Sequence, residues 1–361
     1  MEALRTADIV ELARELGWAA AGVASLAPFD RAAELSHTAI AEGRLAGMPW
    51  LSHERVDAAA DIGERYPWAR SLISLAWSYR PAPATPASTP GRPRGRAAAY
   101  AMLPSEGHAV DYHDLLGERC RELCAAIAKR SPGARAKWFV DHGWAMDKPI
   151  AERAGIGFAG KNTTLITEVA GSYVLLAEVL TSVDLAPTAS SARNCGTCQA
   201  CLPACPTGAL LAPGVMDANR CISYLTIEHR GTIPETIRPL MGTWIFGCDL
   251  CQEACPINQR LAPRALAAGE PGTVSGPVPF PDLVECLKLD DAEFETRFRG
   301  TAVWRTGRAG LARNAAIALG NAADPLALPA LRQAAAADPD EVVRESATWA
   351  VGRLESAALN Q

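Results

Sequence analysis

The sequence lacks an uninterrupted apolar run long enough for a transmembrane helix, so no membrane association is expected. It also lacks the start of an exported protein. "MEALRTADIVELARELG" carries acids in a helical pattern where a basic stretch and an apolar core would have to stand. A cytoplasmic location is the expectation. There is no surplus of positive charge: 35 Lys and Arg stand against 40 Asp and Glu, a net charge of −5. Any nucleic-acid contact would therefore need a local basic patch. A secreted disulfide framework would need a short chain with an export signal, and neither is present.

What is present is 361 residues of ordinary globular composition, 49% hydrophobic and 21% charged. At about 150 residues per domain, that length suggests two or three domains. Residues 6–16 predict an amphipathic helix with Ile9, Leu12, Ala13 and Leu16 on one face and Gly17 as its stop. "SLISLAWSY" (71–79), "KWFVDH" (137–142) and "SYVLLAEVL" (172–180) predict strands. Helices are expected over 111–130 and near 148–154. Residues 81–96 hold five prolines and read as a loop. Strands and helices mix over 1–185, a cysteine segment spans 186–262, and the rest is Ala/Leu-rich and helical. Within that tail, 281–361, "RNAAIALG" (313–320) resembles "RESATWAVG" (344–352). The pair suggests two HEAT-type helical units, too few to stand alone and so packed on the preceding domain. The fold class read from these elements is α+β.

Eight of the 11 cysteines lie between 195 and 255. Cys195, Cys198, Cys201 and Cys205 form C-x2-C-x2-C-x3-C-P, the bacterial ferredoxin pattern. Three thiolates spaced by three residues can occupy three corners of one cubane, and the fourth, before Pro206, ligates the other cluster. "CDLCQEACP" supplies Cys248, Cys251 and Cys255, one short of a second set, and Cys221 makes up the count. The crossing rule assigns Cys195, Cys198, Cys201 and Cys255 to one 4Fe–4S cluster. Cys205, Cys221, Cys248 and Cys251 go to the second. Structural zinc is the plainer alternative, but paired zinc knuckles need neither the third cysteine at i+6 nor the proline. Cys120, Cys124 and Cys286 read as ordinary thiols.

Two motifs mislead. "GIGFAGKN" (155–162) matches G-x-G-x-x-G, but a helix precedes it and a strand follows, the reverse of a nucleotide-binding turn. It reads as a tight turn that could line a pocket. "DYHDLLG" (111–117) is one residue too long for a cobalt-binding D-x-H-x-x-G, so His113 reads as a helix N-terminal residue.

"VDHGWAMDKPIAERAGIGFAGKN", "GSYVLLAEVLT", the two cysteine runs, "RCISYLTIEHRGTIPETIRPLMG" and "RNAAIALGN" closely resemble the epoxyqueuosine reductase family. The resemblance implies an enzyme that binds base-off cobalamin and two 4Fe–4S clusters. It implies reduction of the epoxide of epoxyqueuosine, at the wobble position of a tRNA with a GUN anticodon, to queuosine. An N-terminal cobalamin-binding domain over 1–185 and a ferredoxin-like insert over 186–262 follow from it. It implies that Asp141 is the catalytic acid, a carboxyl whose pKa burial beside the corrin would raise. It places Lys161, Asn162 and Leu165 in a turn beside the corrin, with Ser223 facing the cofactor and Arg55 at its periphery. The insertion "MLPSEGHAV" after Tyr100-Ala101 departs from the family pattern.

No acid occurs from Arg297 to Ala323, a window with Arg297, Arg299, Arg305, Arg308, Arg313, Phe298 and Trp304. Arginine forks suit phosphates and aromatic faces suit unpaired bases, so this window is the expected tRNA surface. The chain is expected to be a monomer fed by an external electron donor. A corrinoid dehalogenase and a non-catalytic electron carrier are the rival readings; the first would not need the arginine window, and the second would not require Asp141 or the turn at 155–165.

Overall fold

The computed structural model describes residues 4–82, 89–105, 108–261, 273–277 and 281–359. Its centre is a four-stranded antiparallel sheet of β1 (Ala20–Ala24), β2 (Ser71–Ser78), β3 (Ala136–Phe139) and β4 (Val174–Thr181), in the order β1-β2-β4-β3. All eight residues of β2 are buried, as its apolar run requires of a strand covered on both faces. On one face Ile73, Leu75 and Val179 meet Ile9 and Leu12 of the helix Thr6–Glu15 and Leu116, Leu123 and Ile127 of the helix Tyr112–Arg130. On the other, Leu72, Leu180 and Phe139 meet Ile150 of the helix Asp147–Arg153. That helix lies close against β1: a Cβ on Gly22 would come 2.1 Å from the carbonyl oxygen of Ala154.

The expected strand over 137–142 stops at Phe139, because Asp141 takes a left-handed backbone with φ of 48°. That turn lifts the aspartate out of the sheet. The expected loop at 81–96 is partly strand. Arg80–Ala82 pairs with Thr273–Pro277, and Arg96–Ala97 pairs with Trp244–Phe246, both parallel. Such pairing comes from segments more than a hundred residues away, which local proline content does not reveal. The middle of that loop, 83–88, lies outside the described residues.

The tail holds the helices Leu283–Lys288, Asp291–Phe298, Gly307–Ala322, Leu328–Ala337 and Glu341–Leu359. Leu283, Leu311, Ala315, Leu331 and Ala350 share one buried cluster with the first face of the sheet. The tail therefore packs on the preceding domain. The two similar segments lie on facing helices, where a Cβ on Gly320 would meet the Trp349 ring at 2.9 Å and the Ala350 Cβ at 3.0 Å. Small residues in both segments permit this close approach. Among the described residues no helix is long and apolar enough to cross a membrane.

Candidate functional site

The cysteine segment wraps the edge of the sheet domain, and its eight thiols are free. Cys201 has Cys195, Cys198 and Cys255 as charged neighbours. Cys221 has Cys205; Cys248 has Cys251 and Cys221. Cys251 faces Cys221 and Cys205, and also Cys201 across the gap between the two groups. Among the described residues no three His, Cys, Asp or Glu side chains converge on a single ion. A zinc site would need that convergence, with sulfurs about 2.3 Å from one point. Thiols that are grouped without converging suit a larger inorganic core.

The turn that looks like a nucleotide-binding loop clasps these cysteine loops. It is a hairpin of Phe158–Ala159 and Leu165–Ile166. Lys161 Nζ donates to the carbonyls of Gly196 at 2.7 Å and Cys198 at 2.8 Å, and Asn162 Nδ2 reaches the Cys251 carbonyl at 3.5 Å. Leu165 is buried against Ala76, Ala151 and Ile156. The structure gives all three other contacts. Lys161 and Asn162 are held by loop carbonyls and Leu165 by the core, and none lines the cavity that holds Asp141.

That cavity, about 540 Å³, lies between the sheet domain and the cysteine segment. Arg55, Asp141, Cys221 and Ser223 line it, with Tyr100, Tyr112 and Arg305. A second cavity of about 460 Å³ shares Trp50, Arg55, Asp141 and Gly143 with the first and extends toward Asp147 and Lys148. Asp141 is exposed to this space. Tyr112 Oη donates to its Oδ2 at 2.6 Å. Burial, and then the charge of Asp141, raise the Tyr112 phenol far above its usual value, so it stays protonated and donates. The loop beyond Asp141 is pinned from two sides. Arg55 Nη2 donates to the Gly143 carbonyl, and the guanidinium carbons of Arg55 and Arg65 lie 5.2 and 3.8 Å from the centre of the Trp144 ring. Gly143 has φ of 83°, and a Cβ there would strike Phe139 at 2.6 Å.

Tyr100 and Tyr112 were not among the expected site residues. Their signal was the pair of short motifs, Tyr100-Ala101 and Asp111-Tyr112-His113, flanking the insertion. The hairpin Leu103–Ser105 with His108–Val110 closes that insertion and returns Tyr112 to Tyr100, ring centres 5.8 Å apart. Asp111 caps the following helix, accepting from the His113 amide at 2.9 Å. The His113 ring lines the cavity as well, which its reading as a helix-start residue did not anticipate.

The arginine window divides. Arg313 is 1% exposed. Its Nη1 donates to the carbonyls of His229 and Gly231 at 2.7 and 2.8 Å, its Nη2 to Leu225 at 2.6 Å, and its Nε to Asn314 Oδ1 at 3.0 Å. Arg308 forms a two-pronged pair with Asp338 at 2.7 and 2.9 Å, both side chains buried. Arg305 pairs with Asp111 at 2.8 Å on the cavity wall. Burial alone would raise the Asp111 carboxyl; bonds from His113 and the Arg305 charge outweigh it and hold the group down at about 2. All the N–H donors of Arg313 are used inside the fold, so it has none to offer a phosphate. Arg297 and Arg299 remain on the surface, paired with Glu285 and Glu295. Arg313→Gln should cost about 2–4 kcal/mol of stability by leaving buried carbonyls unpaired. A thermal melt under anaerobic conditions, compared with Arg299→Gln as an exposed control, checks this.

Residues 194–258 match the family described as a 4Fe-4S double cluster binding domain, and residues 60–142 match "Epoxyqueuosine reductase QueG, DUF1730". An epoxyqueuosine reductase of Gloeobacter violaceus is 40% identical over 325 residues, 89% of this chain and 98% of that protein. That of Bacillus subtilis is 33% identical over 349 residues, 96% of this chain and 87% of the relative. A crystal structure of an epoxyqueuosine reductase with an epoxyqueuosine-modified tRNA-Tyr stem loop superposes with a TM-score of 0.84 at 34% identity, covering 96% of this chain and 89% of the other. A Bacillus subtilis structure with its catalytic aspartate loop swung out of the active site gives 0.84 at 32%, covering 96% and 90%. Likeness of this extent in both sequence and structure makes the chain a member of the epoxyqueuosine reductase family, an oxidoreductase with an iron–sulfur domain.

Proposed function

We propose that the chain reduces the epoxide of epoxyqueuosine in tRNA to the alkene of queuosine, with cobalamin and two 4Fe–4S clusters as cofactors and Asp141 as proton donor. The observation that carries this is the shared cavity, with Cys221 on one wall and Asp141 on another. Electrons relayed through the cysteine segment and protons held by a carboxyl meet in one space. The cluster ligands are the two sets given by the crossing rule. Lys161 braces the first set by its bonds to the carbonyls of Gly196 and Cys198. Cys198 is exposed, so an external one-electron donor can approach that cluster from solvent.

The cavity walls fit a large, mostly apolar macrocycle: Met48, Trp50, Tyr100, Tyr112 and Ile227 are aromatic, thioether or aliphatic. Arg55, Asp141 and Ser223 would hold cobalamin there with these groups. Reduced cobalamin supplies a strong nucleophile toward a strained epoxide. Asp141 supplies the proton that the departing oxygen needs. Tyr112 donates to Oδ2 of Asp141 and so orients the carboxyl. Arg55, through the Gly143 carbonyl, keeps the loop in place. The tail reads as two HEAT-type units that present Arg297, Arg299 and the exposed Trp304 to the tRNA. The relative solved with a modified stem loop supports a tRNA partner. The chain acts as a monomer in the cytoplasm in this reading.

Anaerobically reconstituted protein should hold about eight iron and eight sulfide per chain. Cys221→Ala should lose about half of both, read by iron and labile-sulfide analysis. Asp141→Asn should keep its metal content and lose turnover by roughly 10²–10⁴. Mass analysis of tRNA nucleosides, with epoxyqueuosine persisting, checks it. Arg297→Gln with Arg299→Gln should weaken tRNA binding and flatten its salt dependence by about one unit or less per lost contact. Unchanged binding across a salt titration would move the tRNA surface elsewhere.

A further inference from the structure

β4 carries a single acid. Glu178 is fully buried, and no N–H or O–H group donates to either of its carboxyl oxygens. Its backbone is paired with Ser74 of β2 on one side and Phe139 of β3 on the other, and the chain leaves Phe139 to reach Asp141 two residues later. The Ser74 hydroxyl is also buried without a partner. Asp147 opens the helix that covers this sheet face, and its Oδ1 is likewise buried with no donor. That helix packs against β4, and the two carboxyls of Asp147 and Glu178 are electrostatic neighbours. Asp147 lines the same cavity as Asp141. Two neighbouring ionised carboxylates, out of water and without donors, are strongly disfavoured; one shared proton resolves the arrangement.

We propose that Asp147 and Glu178 store one proton between them and reload Asp141 during turnover. This rests on the reading of Asp141 as the acid. Removing an epoxide oxygen as water consumes two electrons and two protons. One C–O bond breaks and the oxygen takes the first proton as a hydroxyl. The second C–O bond breaks with the second proton, water leaves, and the C=C bond forms. The two electrons come from the one-electron donor through the clusters. Asp141 carries one proton at a time, so it must be recharged between the two transfers. An oxygen leaving carbon is a far stronger base than a carboxylate, so proton flow from the pair through Asp141 runs downhill overall.

The groups facing the pair support this. Burial first, then the charge of Asp141, push Asp147 up to about 7. Burial and the neighbouring Asp147 push Glu178 up as well. Lys148 opposes the shift at Asp147, but its Nζ also donates to the Thr163 carbonyl. Across the sheet, on the helix Tyr112–Arg130, burial keeps the Cys120 thiol neutral, and it adds no charge to the pair. Arg55 and His142 stand across the cavity, and Arg55 is bound to the Gly143 carbonyl.

Glu178→Gln keeps the shape and lets an amide donate to an ionised Asp147, which removes the stored proton. Infrared titration of the full-length, cluster-loaded protein should show a protonated carboxyl that persists well above the usual carboxylate range, because the charge of Asp147 raises Glu178 further. It should be absent in Glu178→Gln. An acid whose pKa is raised by folding stabilises the fold fully below its unfolded value of 3.8, and that contribution is lost as pH rises through about 7. The melting temperature of the parent should therefore fall over this window more steeply than that of Glu178→Gln. Turnover should drop about tenfold or more with KM for tRNA unchanged, and its decline with pH should begin earlier. Asp147→Asn should behave alike, which keeps the test alive if Glu178→Gln does not fold. Absence of a protonated carboxyl near neutral pH in the parent would overturn the store. So would parental turnover and pH profile in both variants while Asp141→Asn is inactive, and in that case the Asp141 reading stands. Full turnover in Asp141→Asn would remove both.

Discussion

The structure is organised by one seam, where the sheet domain meets the cysteine segment. The cavity forms where the two meet. Cys221 and Ser223 enter it from the helix Ile222–Ile227 and its approach, and Asp141 enters from the turn after β3. The contacts across that seam are polar and specific. Lys161 ties the sheet domain to the cysteine loops through two carbonyls, and Ser172 binds Gln252 and Asn258 of the second cysteine run. Without those ties the two walls of the cavity would have no fixed separation.

The tail completes the same seam. Arg313 and Asn314 reach from the helix Gly307–Ala322 to carbonyls at 225, 226, 229, 231 and 245, which lie between Cys221 and Cys248 in the sequence. Arg305 adds a charge to the cavity wall and holds Asp111, whose capping role fixes the helix that bears Tyr112. A segment that reads as a tRNA surface is thus largely a brace for the cofactor space. Its remaining free edge is short, and the tRNA contact proposed here is correspondingly narrow.

Much of this was legible in the sequence where chemistry depends on local spacing. The cysteine runs carry their ligand pattern in intervals of three and four residues, and the amphipathic helix at 6–16 shows its buried face directly. Asp141 was legible only through the family resemblance, because nothing local separates it from a strand-end acid. The bonds of Lys161 and Asn162 to the cysteine loops were not legible, since a turn's sequence does not say which loops lie across from it. Nor was the burial of Arg313, because a run of arginines looks the same whether the partner is a phosphate or a backbone carbonyl. Only long-range packing tells those apart. Tyr112 was hidden for a similar reason: its bond to Asp141 joins residues 29 apart.

Glu178 shows a different kind of legibility. "SYVLLAEVL" reads as a buried strand, and a charged residue inside a buried strand contradicts the pattern around it. Desolvation of an unpaired carboxylate is costly, so a fold that places one there must neutralise it. No cation reaches Glu178 among the described residues; another carboxyl does. The neutralising agent is then a proton, and a proton held at depth beside a catalytic cavity is mobile in a way that a buried lysine would not be. A lone acid in an apolar strand is therefore a sequence-level signal of stored protons, provided that its partner is sought on the helix covering that face of the sheet.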